Sequence, residues 1–407
     1  MGDSVYNRCM YDLIVIGGGA AGFFAALAAK EANPMAKVAI LEKTAVLLSK
    51  VRVSGGGRCN VTNACADPLP FSKHYPRGER ELLGPFHKFC STHTIEWFES
   101  RGVPLKSEPD GRMFPTTNSS ETIINCLMAE AQKLGVEIHL RQRVEAIQKE
   151  DEEFLIQVKD KSPFKTKKLL LATGSSPEGH EWAKNLGHSV ESAVPSLFTF
   201  NVPNSPLSEL SGVSFEKVKL QLAGTSFTHT GPLLITHFGF SGPAALKLSA
   251  WGARYLHEKA YRVELVINWL PDLSLLEIKN QLQALKRNSP QKNLLAENPF
   301  HLTKSFWKNF VGDLSRLNDI SLKQLDQLAE KLHSDVYQVN GKTTNKEEFV
   351  TCGGVNLKEV NFKTMESKLC PGLFFAGEVL DIDGITGGFN FQNAWTTGFI
   401  AGTSSLT

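Results

Sequence analysis

Residues 11–30 read YDLIVIGGGAAGFFAALAAK. Leu13 to Ile16 is an apolar, β-branched run of the kind that lies buried on both faces at the centre of a parallel sheet. It ends on Gly17. Gly17, Gly19 and Gly22 keep the G-x-G-x-x-G spacing, and helix formers fill the chain from Ala20 to Lys30. Gly17 permits a tight turn, Gly19 lets a pyrophosphate come against bare backbone, and Gly22 lets the helix pack close to the strand. The free N–H groups at the helix start, around Ala20 and Ala21, then face the phosphates.

Lys37 to Leu41 reads as a second apolar strand, closed by Glu42 about twenty residues after Gly22, with Lys43 beside it. An acid there can accept both ribose hydroxyls of an adenosine and repels a 2′-phosphate. Alone, Glu42 would read as a solvated charge at a strand end. With strand, glycines, helix, strand and acid in register, the reading is a dinucleotide site.

The 407 residues suffice for two or three domains. Lys and Arg number 44 against 42 Asp and Glu, for a net charge of +2. From that balance we expect neither a nucleic-acid nor a membrane partner. The apolar stretch Leu13 to Ala29 carries glycines and a strand-then-helix pattern unlike a signal or membrane segment. The leading MGDSVY has Tyr6 where a myristoylation signal needs Ser or Thr. Cys9, Cys59, Cys65, Cys90, Cys126, Cys352 and Cys370 form no C-x-x-C pair and no zinc-like set. We expect a cytoplasmic protein without a structural metal.

A second unusual stretch, KVRVSGGGRCNVTN, spans Lys50 to Asn63. After a strand-like VRVS, Gly55, Gly56 and Gly57 lead into Arg58, Cys59 and Asn60. Such a loop brings backbone donors, a guanidinium and an amide to one spot, suited to a phosphate or a polarised ring. A flexible surface turn is the alternative.

Farther along, Leu82 to Arg101 reads as a helix stopping at Gly102, Asp110-Gly111 as a hairpin turn, and Glu121 to Leu134 as a helix stopping at Gly135. Strands follow at Val136–Leu140, Arg143–Ile147, Phe154–Val158 and Lys167–Ala172, the last ending in Thr173-Gly174. These are the pieces of a central parallel sheet with a β-meander. Residues 194–340 change texture and read as an insert: a barrel- or sandwich-like β part to about 270, then a helical part over 271–340. In it, Ser241 is expected to cap a helix beginning at Pro243, and Ser274 with Glu277 has capping-box spacing. From 341 the first texture returns, with a strand at Gly372–Ala376, then Gly377-Glu378, and Gly387-Gly388 opening a helix through Ile400. We therefore expect an α/β protein whose first domain is discontinuous, made of 1–193 and 341–407.

The stretches DLIVIGGGAAG at 12–22, SGGGRCNVTN at 54–63, THFGFSGPA at 236–244, and TCGGVNLKEVNFKTMESKLCPGLFFAGEVLDIDGITGGFNFQNAWTTG at 351–398 together resemble the FAD-binding flavoproteins related to aminoacetone oxidase, a bacterial family. The resemblance implies a Rossmann-like FAD domain built from both chain ends, with the insert covering the flavin. It implies that Gly17, Gly19 and Gly22 hold the pyrophosphate, Glu42 the ribose, and the backbone of Val144 the adenine. Glu378 would meet the ribityl chain. Arg58 and Asn60, with Gly387, Gly388, Phe389 and Asn390, would lie near the isoalloxazine. Gly56, Gly57, Cys59, Thr173, Gly174 and Gly377 complete the candidate set. The chain departs from the family where Thr173-Gly174-Ser175-Ser176 runs directly into PEGHEWAKNLGH.

These readings converge on a FAD-dependent oxidoreductase that moves hydride to or from the flavin N5 of a complex with a small molecule held between the FAD domain and the insert. Amine oxidation and reduction of a conjugated double bond with NAD(P)H as transient donor are both open. No second G-x-G-x-x-G follows a strand, which argues against a separate nicotinamide domain. His237 is the first candidate for proton transfer and His229 the second. Two rivals are a disulfide reductase using Cys59 and Cys65, and a non-enzymatic flavin sensor whose insert binds a partner. The oligomeric state is open.

Overall fold

The apolar run at the head of the chain is the strand β1 (Tyr11–Ile16), which leads through the glycine turn into α1 (Ala20–Ala32). In the computed structural model, which describes residues 10–314, 316–343 and 350–407, β2 (Val38–Leu41) returns parallel to β1 with Leu13 facing Val38 and Ile16 facing Leu41. Tyr6 and Cys9 lie outside the described residues. Next come α2 (Ser49–Gly57), β3 (Thr62–Asn63), α3 (Pro68–Ser72), α4 (Glu79–Lys88) and α5 (Ser91–Glu99). The hairpin of β4 (Leu105–Ser107) and β5 (Arg112–Pro115) turns at Asp110-Gly111, and α6 (Ser120–Leu134) stops at left-handed Gly135. β6 (Glu137–His139) then pairs parallel with β2.

β7 (Val144–Glu150), β8 (Glu153–Val158) and β9 (Phe164–Leu171) form the meander. The first half of β9 pairs antiparallel with β8, and its length from Thr166 pairs parallel with β1. That double use lets one strand join a hairpin to a parallel sheet. α7 (Pro177–Asn185) and β10 (Val190–Ser196) end the first segment.

Two compact units emerge, Met1–Val194 with Lys346–Thr407, and Pro195–Asn345. In the second, β11 (Thr199–Asn201), β12 (Ser214–Leu222), β13 (Thr228–Thr236) and β14 (Gly239–Ser241) precede α8 (Pro243–Trp251), α9 (Ala253–Glu258) and β15 (Arg262–Asn268). α10 (Leu275–Asn288), α11 (Lys304–Val311) and α12 (Leu322–His333) follow, then β16 (Asp335–Asn340) and β17 (Lys342–Thr343). The strand order is β16-β15-β12-β13-β14-β11-β17. Its two edges are one run of chain interrupted at Gly341, whose N–H donates to the Tyr261 carbonyl and whose own carbonyl accepts from the Asn201 N–H. The sheet thus closes on itself as a small barrel, which removes its free edges. The stretch read as helical to residue 340 is helical to His333. Asp335–Asn340 alternates buried and exposed residues and returns to the barrel as a strand.

In the tail, β18 (Val350–Val355), β19 (Val360–Asn361), β20 (Glu366–Ser367) and β21 (Leu373–Phe375) lead to α13 (Phe389–Ser405). β21 lies parallel to β9, so the main sheet reads β19-β20-β21-β9-β1-β2-β6 and includes strands from both ends of the chain. α13 packs on α1 through an aromatic cluster. The Phe24 ring lies 4.7 Å from Trp97 and 5.1 Å from Trp395, and the Trp395 indole N–H donates to the Val61 carbonyl at 2.9 Å. Trp395 is fully buried. Removing roughly 200 Å² of its surface from water is worth about 5 kcal/mol at 25 cal/mol per Å².

Three local expectations are corrected. The strand-like VRVS is helical in α2 over Val51–Val53, and the helical path breaks at extended Ser54. Val51 is buried there and the Ser120 hydroxyl donates to the Arg52 carbonyl, tertiary contacts that override β-branched propensity. Leu82–Arg101 is two helices, because α4 ends at extended Phe89 and α5 restarts with a capping box in which the Cys90 N–H donates to His93 Nδ1. Ser241 does not cap α8. It lies in β14 and its hydroxyl meets Thr199, while Gly242, at φ +89°, takes the N-cap position.

Candidate functional site

The glycine turn is built as its spacing requires. Gly17 has φ +115°, and a Cβ there would fall 2.4 Å from the Ala172 carbonyl oxygen. A Cβ on Gly22 would fall 2.0 Å from the Gly17 carbonyl oxygen, so α1 can approach the turn only with glycine at that position. In front of Gly19 there is nothing within 4 Å. Gly19 caps α1 without a side chain, so Ala20 and Ala21 begin the helix with amides open to an anion.

Glu42 follows β2 and ties the turn to the next loop. Its Oε2 accepts the Gly18 N–H at 2.9 Å and its Oε1 accepts the Thr44 N–H at 2.8 Å. A carboxylate has about four lone-pair sites, so two remain for ribose hydroxyls. Lys43 is exposed and pairs with Glu178 at 3.4 Å. Val144, at the start of β7, is buried and faces Val158; two residues before it, the Gln142 N–H donates to the Glu42 carbonyl.

Across the sheet, Thr173 and Gly174 follow β9 beside the glycine turn. Glu378 Oε2 lies 3.9 Å from where a Cβ on Gly174 would sit, and it accepts a hydrogen bond from Lys50 Nζ at 2.6 Å. The neighbouring Gly377, at φ +75°, leaves room for Ala21: a Cβ there would lie 2.8 Å from the Ala21 methyl. α1, α2, the end of β9 and the tail therefore meet around one locus. Directly after Gly174, Ser176 caps α7 by accepting the Gly179 N–H.

Gly55, Gly56 and Gly57 all have positive φ, and Gly56 and Gly57 have open space where a side chain would be. Arg58 turns toward the β4–β5 hairpin, donating to Glu108 at 2.7 Å with its guanidinium 4.0 Å from the Phe114 ring centroid. Cys59 is sealed, and burial pushes its thiol up to about 12. Asn60 reaches the tail: with its amide oriented to suit its neighbours, it accepts from the Gly388 N–H at 2.9 Å and donates to the Thr62 carbonyl at 3.0 Å. Asn63 Nδ2 donates to the Gly387 carbonyl at 3.1 Å. Gly388 caps α13 without a side chain, Phe389 opens that helix, and the Asn390 amide closes the preceding loop through two 2.8 Å bonds to Gly384. Further along the same helix, Asn393 is buried and neither of its amide atoms has a partner.

Sequence reasoning missed Gly18, Lys50, Asn63 and Asn393. Lys50 and Asn63 bracket the quoted glycine stretch, but their partners are more than 300 positions away. No local signal could have paired them.

His237 lies in the exposed turn between β13 and β14. His229, in β13, is half-buried beside Gly231, and desolvation together with the Lys247 cation lowers it to about 4. Among the described residues no group of His, Cys, Asp and Glu could hold a metal ion, and no helix is long and apolar enough to cross a membrane.

The residues present fit FAD. Two helix starts lack side-chain caps, a bare glycine faces open space, an acid keeps free lone pairs, and a buried amide in α13 is unsatisfied. Fold and cradle together define a Rossmann-type FAD-binding flavoprotein. The chain belongs to the HI0933-like family, whose Rossmann-domain model matches residues 11–404. It is 32% identical over 403 residues to the ribosomal RNA dihydrouridine synthase of Escherichia coli (strain K12), covering 95% of this chain and 96% of that one. It is 29% identical over 407 residues to the 3-dehydro-bile acid delta(4,6)-reductase of Clostridium scindens, covering 95% and 97%. Among solved structures, the 3-ketosteroid-delta4-(5alpha)-dehydrogenase of Rhodococcus jostii RHA1 superposes with a TM-score of 0.54 at 16% identity, covering 100% of this chain and 99% of that one. That likeness is one of fold.

Proposed function

We propose that the protein is a FAD-dependent reductase of an electron-poor carbon–carbon double bond, with uridine in ribosomal RNA as its substrate. The observation that carries this reading is the 32% identity to the E. coli dihydrouridine synthase along nearly the full length of both chains, FAD unit and insert alike. The Clostridium relative is also named for reducing double bonds. In uridine, C5=C6 is conjugated to the C4 carbonyl, so it accepts hydride at C6 and a proton at C5. The balance is uridine, NAD(P)H and H⁺ giving dihydrouridine and NAD(P)⁺.

When bound, FAD would supply two-electron hydride chemistry. The chain's own residues hold and orient. Gly17 to Gly22 and the start of α1 would receive the pyrophosphate, Glu42 the ribose, and Glu378, positioned by Lys50, the ribityl hydroxyls. The uncapped start of α13, set by Asn60 and Asn63, would place a positive dipole end against the electron-rich ring. His237 is proposed to give the proton to C5.

The near-zero net charge sums over the whole chain and says nothing of local clustering, so it does not oppose an RNA substrate. Against a disulfide reductase stands Cys59, one of the pair it would need, which is buried, and burial pushes its thiol up to about 12. The Clostridium relative favours a second reading, reduction of a small conjugated ketone; the amine oxidation implied by the sequence resemblance is a further arm of the same assay. The deciding experiment mixes holoprotein, NAD(P)H and unmodified rRNA transcripts without oxygen, then looks in digests for uridine heavier by two hydrogens. Transcripts left unchanged while a steroid dienone or an amine turns over would sink the RNA reading. His237→Gln should lower kcat for the substrate half-reaction and leave flavin reduction by NAD(P)H intact.

A further inference from the structure

A groove of about 600 Å³ runs between α4 and the tail segment 357–368 at the edge of the main sheet, within the FAD-binding unit. Its lining includes Arg80, Lys88, Lys358, Lys363 and Lys368, opposed by the carboxylate of Glu81. All five cations are exposed, and none forms an ion pair among the described residues. Lys88 Nζ donates instead to the Lys363 carbonyl and Lys368 Nζ to the Lys358 carbonyl, each at 2.8 Å. The nearby acids are taken up by backbone donors: Glu359 accepts the Ser189 N–H and Glu366 the Gly372 N–H, both at 2.8 Å. In a chain with a net charge of +2, five unpaired cations against one lining carboxylate make a local excess of positive charge.

We propose that this groove is a docking track for the phosphodiester backbone of RNA. Lysines serve as mobile point charges for phosphates, and several in a row neutralise successive phosphates without reading sequence. The concave shape receives a ridge of polyanion, whereas a flat lipid surface could not reach its floor. The proposal rests on the RNA reading above. It adds the place where the substrate is held away from the flavin chemistry, and explains how a nearly neutral protein retains a nucleic acid.

The test uses the full-length FAD holoprotein and unmodified rRNA transcripts, with binding by filter retention across a range of salt. The triple variant K358E/K363E/K368E is compared with R80E/K88E, which approaches the groove from the helix side. Both variants should hold FAD like the parent and be reduced by NAD(P)H at its rate. Each should bind RNA at least 10-fold more weakly, and the slope of log K against log salt should become shallower by about 2 for the triple variant. Parent-like affinity and slope in both variants, with the parent binding and converting RNA, overturns the groove and leaves the reductase reading standing. A parent that neither binds nor converts RNA removes both. Loss of binding to anionic vesicles with RNA binding untouched also overturns the proposal.

Discussion

Gly402 of α13 and Ala25 of α1 are packed backbone to backbone: a Cβ on Gly402 would fall 2.1 Å from the Ala25 carbonyl oxygen. One turn earlier, a Cβ on Gly398 would fall 2.6 Å from the Ala21 carbonyl oxygen. These two glycines set how closely the last helix approaches the first, and hence where both uncapped helix starts lie. Gly402→Val should destabilise the protein by about 3 kcal/mol through overpacking, with FAD retention falling in parallel. Denaturant unfolding of apo- and holoprotein measures it, and an unchanged midpoint would show that the helices can separate freely.

Glu42 makes two charge-assisted bonds to backbone N–H groups that a glutamine cannot both replace. In Glu42→Gln one donor of the pair at Gly18 and Thr44 faces an amide NH₂. FAD affinity should fall about 10- to 100-fold, the equivalent of roughly 1.5–3 kcal/mol for a hydrogen bond to a charged group. Fluorescence titration of apoprotein with FAD reads this directly. Equal affinity would move the ribose elsewhere.

Arg77 forks onto Asp383, whose carboxylate is fully buried. Asp383→Ala removes the forked carboxylate from a buried pair and should cost about 3–5 kcal/mol. The double replacement Arg77→Met with Asp383→Leu should recover most of that loss. If the single and double variants unfold at the same denaturant concentration, the pair is not what anchors the tail loop.

Burial lowers the pKa of three histidines. Burial lowers His180, whose Nε2 has no partner, and His188, whose Nδ1 bonds the Ala183 carbonyl while Nε2 meets the Ser367 hydroxyl. His229 is lowered to about 4. Their folded pKa values lie below the unfolded value near 6.5, so the unfolded chain binds more protons in between. Stability should be full above about pH 6.5 and decline as the pH falls toward 4. A flat profile of unfolding free energy between pH 7 and 5 would contradict this assignment.

Cys59 should resist iodoacetamide at pH 8 in the native protein and react on unfolding, because its thiol lies near 12 and no solvent reaches it. Cys59→Ser should retain flavin and turnover. Peptide mapping after brief alkylation gives the answer, and rapid native labelling of Cys59 would reopen the dithiol reading.

By itself the sequence determined those parts of the protein whose physics is local. The spacing of Gly17, Gly19 and Gly22 after an apolar strand specified a turn that only glycine can make, and the change of texture near 194 marked where short alternating segments, read as barrel or sandwich, begin. Gly135 after α6 and the Ser274/Glu277 capping box were equally legible, because each is a short-range hydrogen-bonding rule. Tertiary structure alone decided what depends on contacts between remote segments. Val51 to Val53 became helix because Val51 found a buried seat, Lys50 met Glu378 because the tail strand joined β9, and lysines from two distant segments came to line one groove. Such pairings rest on how the sheet is ordered and closed, a property of the folded chain as a whole that no window of residues contains.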